Sequence, residues 1–590
     1  MLNKIIDWSI NYRLLVVIAL IATIAGSIIV IPTLNLDAFP DVTNVQVAVN
    51  TEAPGLAAEE VEQLITYPIE AVMYALPDVE QVRSISKTGL SGVTVVFKED
   101  TDIYFARQLV FERLQAAKEL IPTGGGTPEM GPNTSGLGQV FQYLLVADEG
   151  SGYDSMALRS LNDWIIKLLV MPVDGVTDVL SFGGNVRQYQ VNIEPSKLLS
   201  YQLTQADIIT ALGDNNANVG GGYMNRGQEQ LVIRGTGWFN SGEEGLSDIR
   251  QVPVKTVAGT VITIDDIANV SLGSEIRQGA VTMTRRDEQG NAVSLGEVVS
   301  GIVLKRMGAN TKATIDGITA RIPLINQALP EGVRFEPFYD QADLITKAVD
   351  TVVEALALAF IFIAIVLTLF LMNLRATFLV LISIPISVGI ALMVMAWLGL
   401  SANLMSLGGI AVAIGMLVDG SVVMVENMFK HLNRPNPTHY DSTQKRLYAN
   451  DYAPHNADSY DIERDEAAIP LRLKVAGKEV ARPVFFAASI ILVVFTPLFS
   501  FEGVEAKLFQ PMAISIILAV ISAIIVAIFV VPALATFLFK KGVKERESFV
   551  LKPLDKWYRK GLKVAMKRTK LVIAVSVALV IGAAFLIPQI

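Results

Sequence analysis

The chain has 590 residues, of which 52% are hydrophobic and 18% charged, with a formal net charge of −9 and no cysteine. It is too apolar for an ordinary soluble protein and too charged for a purely membranous one, which leaves a membrane protein with a large aqueous part. The missing cysteines exclude disulfides, thiolate metal sites and cysteine nucleophiles. The acidic balance, with no basic patch interleaved with aromatics, argues against a nucleic-acid partner, and without a GxxxxGK[ST] pattern ATP drive is not expected.

In chain order, the first element is an apolar run, Leu14–Ile31, long enough to span and lacking a small-residue cleavage site, so it reads as an uncleaved anchor. After it come some 300 residues of ordinary α/β sequence. VQVAVNTEA (Val45–Ala53) alternates like a strand, Leu56–Leu76 has helical spacing, VEQVRSIS and VTVVFKED read as strands, and IYFARQLVFERLQAAKEL as an amphipathic helix. This β-α-β-β-α order is that of a ferredoxin-like split unit. A second copy reads as FQYLLVAD, a helix over Met156–Met171, strands VTDVLSF and RQYQVNIEP, a helix over Thr311–Leu329 and a last strand VRFEPFYD, with a Gly-rich insert at about 220–274. The GGG at Gly124–Gly126 lacks the strand–helix context of a phosphate loop and reads as a hinge.

Six more spans follow at about Val352–Leu371, Ala376–Leu398, Leu404–Val425, Pro483–Phe499, Met512–Phe539 and Leu571–Ile587. The connection from Lys540 to Lys570 holds twelve Lys/Arg against three acids, and the fourth-to-fifth connection is also rich in Lys/Arg. Both therefore belong in the cytoplasm, with the α/β region outside. The expected architecture is a membrane α-helical bundle of seven spans plus an outer α+β domain of ferredoxin-like βαββαβ units with an inserted Gly-rich subdomain. Its parts are residues 1–32, first span; 33–135 and 136–348, the two α/β subdomains; 349–428, spans two to four; 429–482, a cytoplasmic loop; 483–540, spans five and six; 541–570, the basic connection; and 571–590, span seven.

The fourth span carries LVDGSVVMVEN (Leu417–Asn427), in which Asp419 stands alone among apolar and small residues and Glu426 follows seven positions later. A carboxylate at membrane depth costs roughly 2.5–3.5 kcal/mol on insertion scales and is usually kept for a task. Seven residues at 100° each leave the two carboxylates about 20° apart around the helix, on one face and two turns apart. The plain reading makes Glu426 an interfacial group and Asp419 a structural hydrogen-bonding one. The functional reading makes the pair a proton relay, because a buried carboxyl with a raised pKa takes a proton from one side and loses it to the other. The glycines at 408, 409, 415 and 420 would let another helix approach closely.

Six landmarks occur in order: LDAFPDVTNVQVAVNTEAPGLAAEEVEQLITYPIE, MGPNTSGLGQVFQY, DVLSFGGNVRQYQV, SANLMSLGG, VDGSVVMVEN and FEGVEAKLFQPMA. With their spacing to the spans, the whole chain resembles the resistance–nodulation–division transporters, and within them the heavy-metal efflux branch. The multidrug branch usually has two adjacent aspartates in the fourth span, whereas Asp419 is followed by Gly420. The resemblance implies proton-driven antiport of metal cations across the bacterial inner membrane, with Asp419 and Glu426 as the relay. It also implies that the outer domain is a periplasmic porter domain with the insert as its docking subdomain, and it implies a homotrimer, a periplasmic adaptor protein, an outer-membrane channel and no cofactor. Members have twelve spans in two similar halves, so the chain is expected to be an N-terminal half whose C-terminal half is missing here. Rival readings are a multidrug pump, or a truncated, non-transporting half or assembly subunit.

Substrate preference leans on ligand chemistry. Ala413 replaces a carboxylate that divalent-type members carry, and all three histidines (His431, His439, His455) fall in the expected cytoplasmic loop. Met405 and Met424 match positions where copper-type members place methionines along the membrane path, and thioether sulfur suits Cu(I) or Ag(I) better than zinc. Either methionine also reads as ordinary packing.

Overall fold

A computed structural model describes residues 2–122, 125–148, 150–257, 259–277, 279–286, 289–433, 468–539 and 551–586. Among them six helices are long and apolar enough to cross a membrane: Arg13–Thr33, Gln341–Leu371, Leu374–Trp397, Leu404–Leu432, Ile469–Ser500 and Gly503–Leu538. The seventh expected span is a helix over Thr569–Leu586, but its described apolar stretch, Thr569–Ala583, is shorter than the other six. Six rather than seven reach spanning length among the described residues. Most of the expected cytoplasmic loop, with His439 and His455, lies outside them, as do Gly124 and the first part of the basic connection.

The helices start where the sequence supplies caps. Asp340 accepts from the Ala342 amide at 2.7 Å, so the second span begins at Gln341 and not near 349. Asn373 caps the third span, and Met372 before it takes a left-handed conformation (φ 46°) that turns the chain sharply back. At the head of the fourth span Asn403 and Ser406 cap each other. The Ser406 amide donates to Asn403 Oδ1 and the Asn403 amide to Ser406 Oγ, both at 2.9 Å, and both side chains are buried. The fourth span runs on to Asn433 and the fifth starts at Ala468, so helix occupies both ends of the loop expected at 429–482. The fourth span packs against the second, third, fifth and sixth, around an apolar core that includes Ala413, Ile414, Met424, Met428, Leu473, Ile516, Ala519 and Phe539.

Outside the bundle the described residues form fifteen strands: β1 (Gln46–Glu52), β2 (Val79–Lys87), β3 (Leu90–Phe97), β4 (Pro128–Met130), β5 (Thr134–Ala147), β6 (Val176–Phe182), β7 (Arg187–Ile193), β8 (Val219–Arg226), β9 (Glu229–Gly235), β10 (Pro253–Val257), β11 (Thr260–Thr263), β12 (Ala268–Ser274), β13 (Val281–Arg286), β14 (Ala292–Arg306) and β15 (Val333–Asp340). The first sheet has the order β2-β3-β1-β4, all antiparallel, as a split β-α-β unit requires. Its inward face (Val47, Val49, Val93, Val95, Phe97) buries the apolar stripes of helices 58–73 and 103–120.

The second sheet repeats that order as β6-β14-β5-β15, with β13 added to the near half of β14. Here the expectation fails. RQYQVNIEP, expected as the third strand of this unit, is β7, which leaves the sheet and pairs with β12, in register from Arg187↔Ser274 to Ile193↔Ala268. The inserted lobe therefore runs from β7 to β12 instead of starting near 220, with its own core of Leu203, Ile208, Leu246, Ile249, Ile264, Ile267 and Val270. The third strand is β14, whose Gly296 and Gly301 interrupt the apolar alternation that would have marked it. Gly301 is required: a Cβ there would collide with the ring of buried Tyr143, its neighbour across the ladder.

Candidate functional site

Asp419 lies midway along the fourth span, and its side chain is exposed on the surface of the bundle. It lines a cavity of about 160 Å³ bounded by Met416, Gly420 and Val423 on its own helix and by apolar residues of the fifth and sixth spans, among them Pro483, Ala487, Ile491, Val520 and Ala527. The sixth span widens into a π turn at Val526–Val530 where it meets this cavity; such turns often occur at functional sites. Among the described residues Asp419 makes no hydrogen bond or ion pair.

The face around it is equally open. Gly408, Val412, Gly415, Asp419 and Val423 recur at intervals of four, three, four and four, one stripe of a 3.6-residue helix. Val412 is 59% exposed, and a Cβ added at Gly408 or Gly415 would meet nothing within 4 Å. The other two glycines do the opposite. Gly409 lies against Met512 and Ser515 of the sixth span, and Gly420 against Val484 of the fifth. Of the four expected close-approach glycines, two join helices inside the chain and two face outward.

Glu426 is half-buried and forms an ion pair with Lys430 at 2.7 Å, one turn on. The i,i+4 spacing makes this partner visible in the sequence. Met405 and Met424 are not brought together. Met405 is partly buried at the outer end, while Met424 is fully buried in the bundle core. Nineteen residues of helix separate them by about 28 Å, and Met424 is about 140° around the helix from Asp419. His431 is buried at the other end of the span, its Nε2 2.8 Å from Glu479 Oε2. Among the described residues no group of three or more His, Asp or Glu side chains is arranged to hold a metal ion.

The sequence profile of the AcrB/AcrD/AcrF family matches residues 5–590. The cation efflux system protein CzcA of an Alcaligenes species is 37% identical over 99% of this chain and 52% of its own length. The cation efflux system protein CusA of Escherichia coli is 34% identical over 93% of this chain and 49% of its own. A crystal structure of a heavy metal efflux pump superposes with a TM-score of 0.78 at 29% identity, covering 99% of this chain and 52% of the pump. The chain thus spans about half the length of the curated relatives it matches.

Proposed function

We propose, from the premise that the chain belongs to the AcrB/AcrD/AcrF family, that it is the N-terminal half of a proton-driven antiporter that exports heavy-metal cations across the bacterial inner membrane. Asp419 carries this reading. A carboxylate at membrane depth, unpaired among the described residues and set in a stripe of small residues, faces a surface on which another helix fits. A second half bringing a cation to that face would let Asp419 exchange charge for proton in each cycle. One charge crossing 100 mV releases about 2.3 kcal/mol, enough to drive a rocking step. The two α/β units act as the porter on the outer side. The lobe from β7 to β12, with its exposed β8–β9 hairpin, is the docking element for a trimer, reached by a periplasmic adaptor protein and an outer-membrane channel. Relatives named for cation efflux support a metal substrate over a multidrug one.

Replacing Asp419 with Asn keeps the size and removes the titration. In the complete transporter, expressed in a pump-deficient host, Asp419→Asn is expected to abolish metal tolerance at unchanged protein level. Glu426→Gln, at a solvated ion pair, is expected to do less harm. Wild-type tolerance in Asp419→Asn would remove Asp419 from the relay.

A further inference from the structure

We propose that the segment Leu34–Asn44, between the first span and β1, is the strap through which the fourth and sixth spans drive the two α/β units, with Lys305 and Lys507 as the positioning residues that fasten it. This rests on the transport reading above and adds to it the residues that couple membrane to porter.

The strap is anchored below by apolar packing and backbone hydrogen bonds. Leu34, only 4% exposed, and Leu36 sit in a small core of their own with Met395, Ala402, Leu407, Ile410 and Leu518. That core joins the third, fourth and sixth spans at their outer ends. Leu36 bridges Ala402, the Ala402 amide donates to the Asn35 carbonyl at 2.8 Å, and the Asp37 and Leu404 amides complete the pairing. The strap is thus hydrogen-bonded to the turn that carries the mutual cap of Asn403 and Ser406. It grips the head of the helix bearing Asp419, about 13 Å further along from Ile410.

The strap is fastened above by polar groups, one set for each α/β unit. Lys305, on β14 of the second unit, has its side chain 10% exposed. Its Nζ donates to Thr311 Oγ1 at 2.8 Å and to the Ala309 carbonyl at 3.0 Å, and pairs with Asp37 Oδ1 at 3.4 Å. Thr311 Oγ1 donates to the same carboxylate oxygen at 2.5 Å, and Asn310 Nδ2 to the Leu34 carbonyl at 3.2 Å. At the far end, Lys507 near the start of the sixth span donates to the Thr43 carbonyl at 3.1 Å and to Asn44 Oδ1 at 3.0 Å. It also pairs with Glu99 of the first unit at 3.2 Å. Thr43 Oγ1 meanwhile accepts from the Gly136 amide of β5 at 2.9 Å.

Largely buried lysines that each engage three acceptors hold geometry far better than exposed pairs. A shift of the fourth or sixth span therefore moves the strap, and the strap moves both units. Without the clamps the bundle can still cycle protons, but the stroke is not delivered.

The test uses the complete transporter in proteoliposomes, with internal pH and metal uptake followed together and Cu(I) and Zn(II) offered separately. Lys305→Met and Lys507→Met are each expected to cut metal flux by about 5–150-fold, the size of an ordinary coupling free energy, while Asp419-dependent proton movement persists. Because such variants could unfold, a second one compares two states of a single folded sample. This chain has no cysteine, so Asp37→Cys/Thr311→Cys supplies the only pair within it. Metal flux is expected to be low when the pair is reduced and restored when it is oxidised. Equal flux in both states, or metal and proton movement falling in constant ratio in the lysine variants, would overturn the strap. Asp419→Asn run alongside separates the two ideas, since full flux there would sink the relay whatever the clamps do.

Discussion

Gly409 and Gly415 are about one and two-thirds turns apart on the same helix, yet the structure assigns them opposite responses to the same methyl group. A Cβ on Gly409 would come within 2.8 Å of the Met512 backbone carbonyl and 3.1 Å of Met512 Cγ, and would press on Ser515 Oγ. Ser515 cannot easily turn aside, because it is fully buried and donates to that same Met512 carbonyl at 2.8 Å. The methyl must therefore move the sixth span or break that bond. Overpacking of this kind costs about 1–3 kcal/mol, against a gain of about 1 kcal/mol for replacing a helical glycine. Gly409→Ala is expected to be neutral to destabilising by about 2 kcal/mol. Gly415→Ala meets nothing and keeps only the gain, so the two variants should differ by about 1–3 kcal/mol. The measurement is the thermal or denaturant midpoint of the purified chain in detergent. Gly409→Ala unfolding at or above the midpoint of Gly415→Ala would refute the assigned packing of the fourth and sixth spans.

Two further outcomes follow from buried groups. Tyr143→Phe strands the Oδ1 of fully buried Asn162, which now accepts from the Tyr143 hydroxyl at 2.8 Å, and should lower stability by about 1–3 kcal/mol in the same melts. Burial, helped by Asp163, also pushes the Tyr143 hydroxyl above the ordinary phenol range. Its contribution is full below the unfolded phenol pKa of about 10 and is lost as pH rises beyond it, a loss Tyr143→Phe should not show. Met424→Leu keeps volume and apolarity in the bundle core and should leave metal tolerance of the complete transporter unchanged. Loss of tolerance to one metal alone would return Met424 to the cation path.

Where residues repeat with a clear period, the sequence was legible. The spans, the first split unit and the helical stripes of Leu56–Leu76 and Ile103–Leu120 are such cases, because burying one face imposes 3.6- or 2-residue spacing directly. The third strand of the second unit was not legible. β14 is buried along most of its far half, so it lacks alternation there, and its Gly301 makes room for a neighbour's ring rather than marking a turn. RQYQVNIEP alternates well but pairs with a strand some eighty residues away, and no local signal says which sheet a strand joins. Asp419 was legible because it is anomalous in apolar surroundings. The openness of its face was not, since glycines that join helices inside the chain and glycines that face outward look the same in a sequence.

That openness gives Asp419 a measurable sign. A side chain kept for structure stabilises the state in which it is seen, and removing it lowers the melting point. Asp419 has no partner among the described residues and sits beside an apolar cavity, so in the chain by itself it contributes only the cost of an ionisable group at membrane depth. That cost is at most about 2.5–3.5 kcal/mol, and less where water reaches the cavity. Asp419→Leu should therefore raise the midpoint of the isolated chain in lipid or detergent, even though it ends transport by the complete assembly. Stability lost for the sake of activity is common at working sites. Adding the second half should reverse the order, because the wild-type carboxylate then gains its cation and the leucine leaves that cation unpaired. A lower midpoint for Asp419→Leu in the isolated chain would show that Asp419 is held by contacts within this half, and the open face would lose its role.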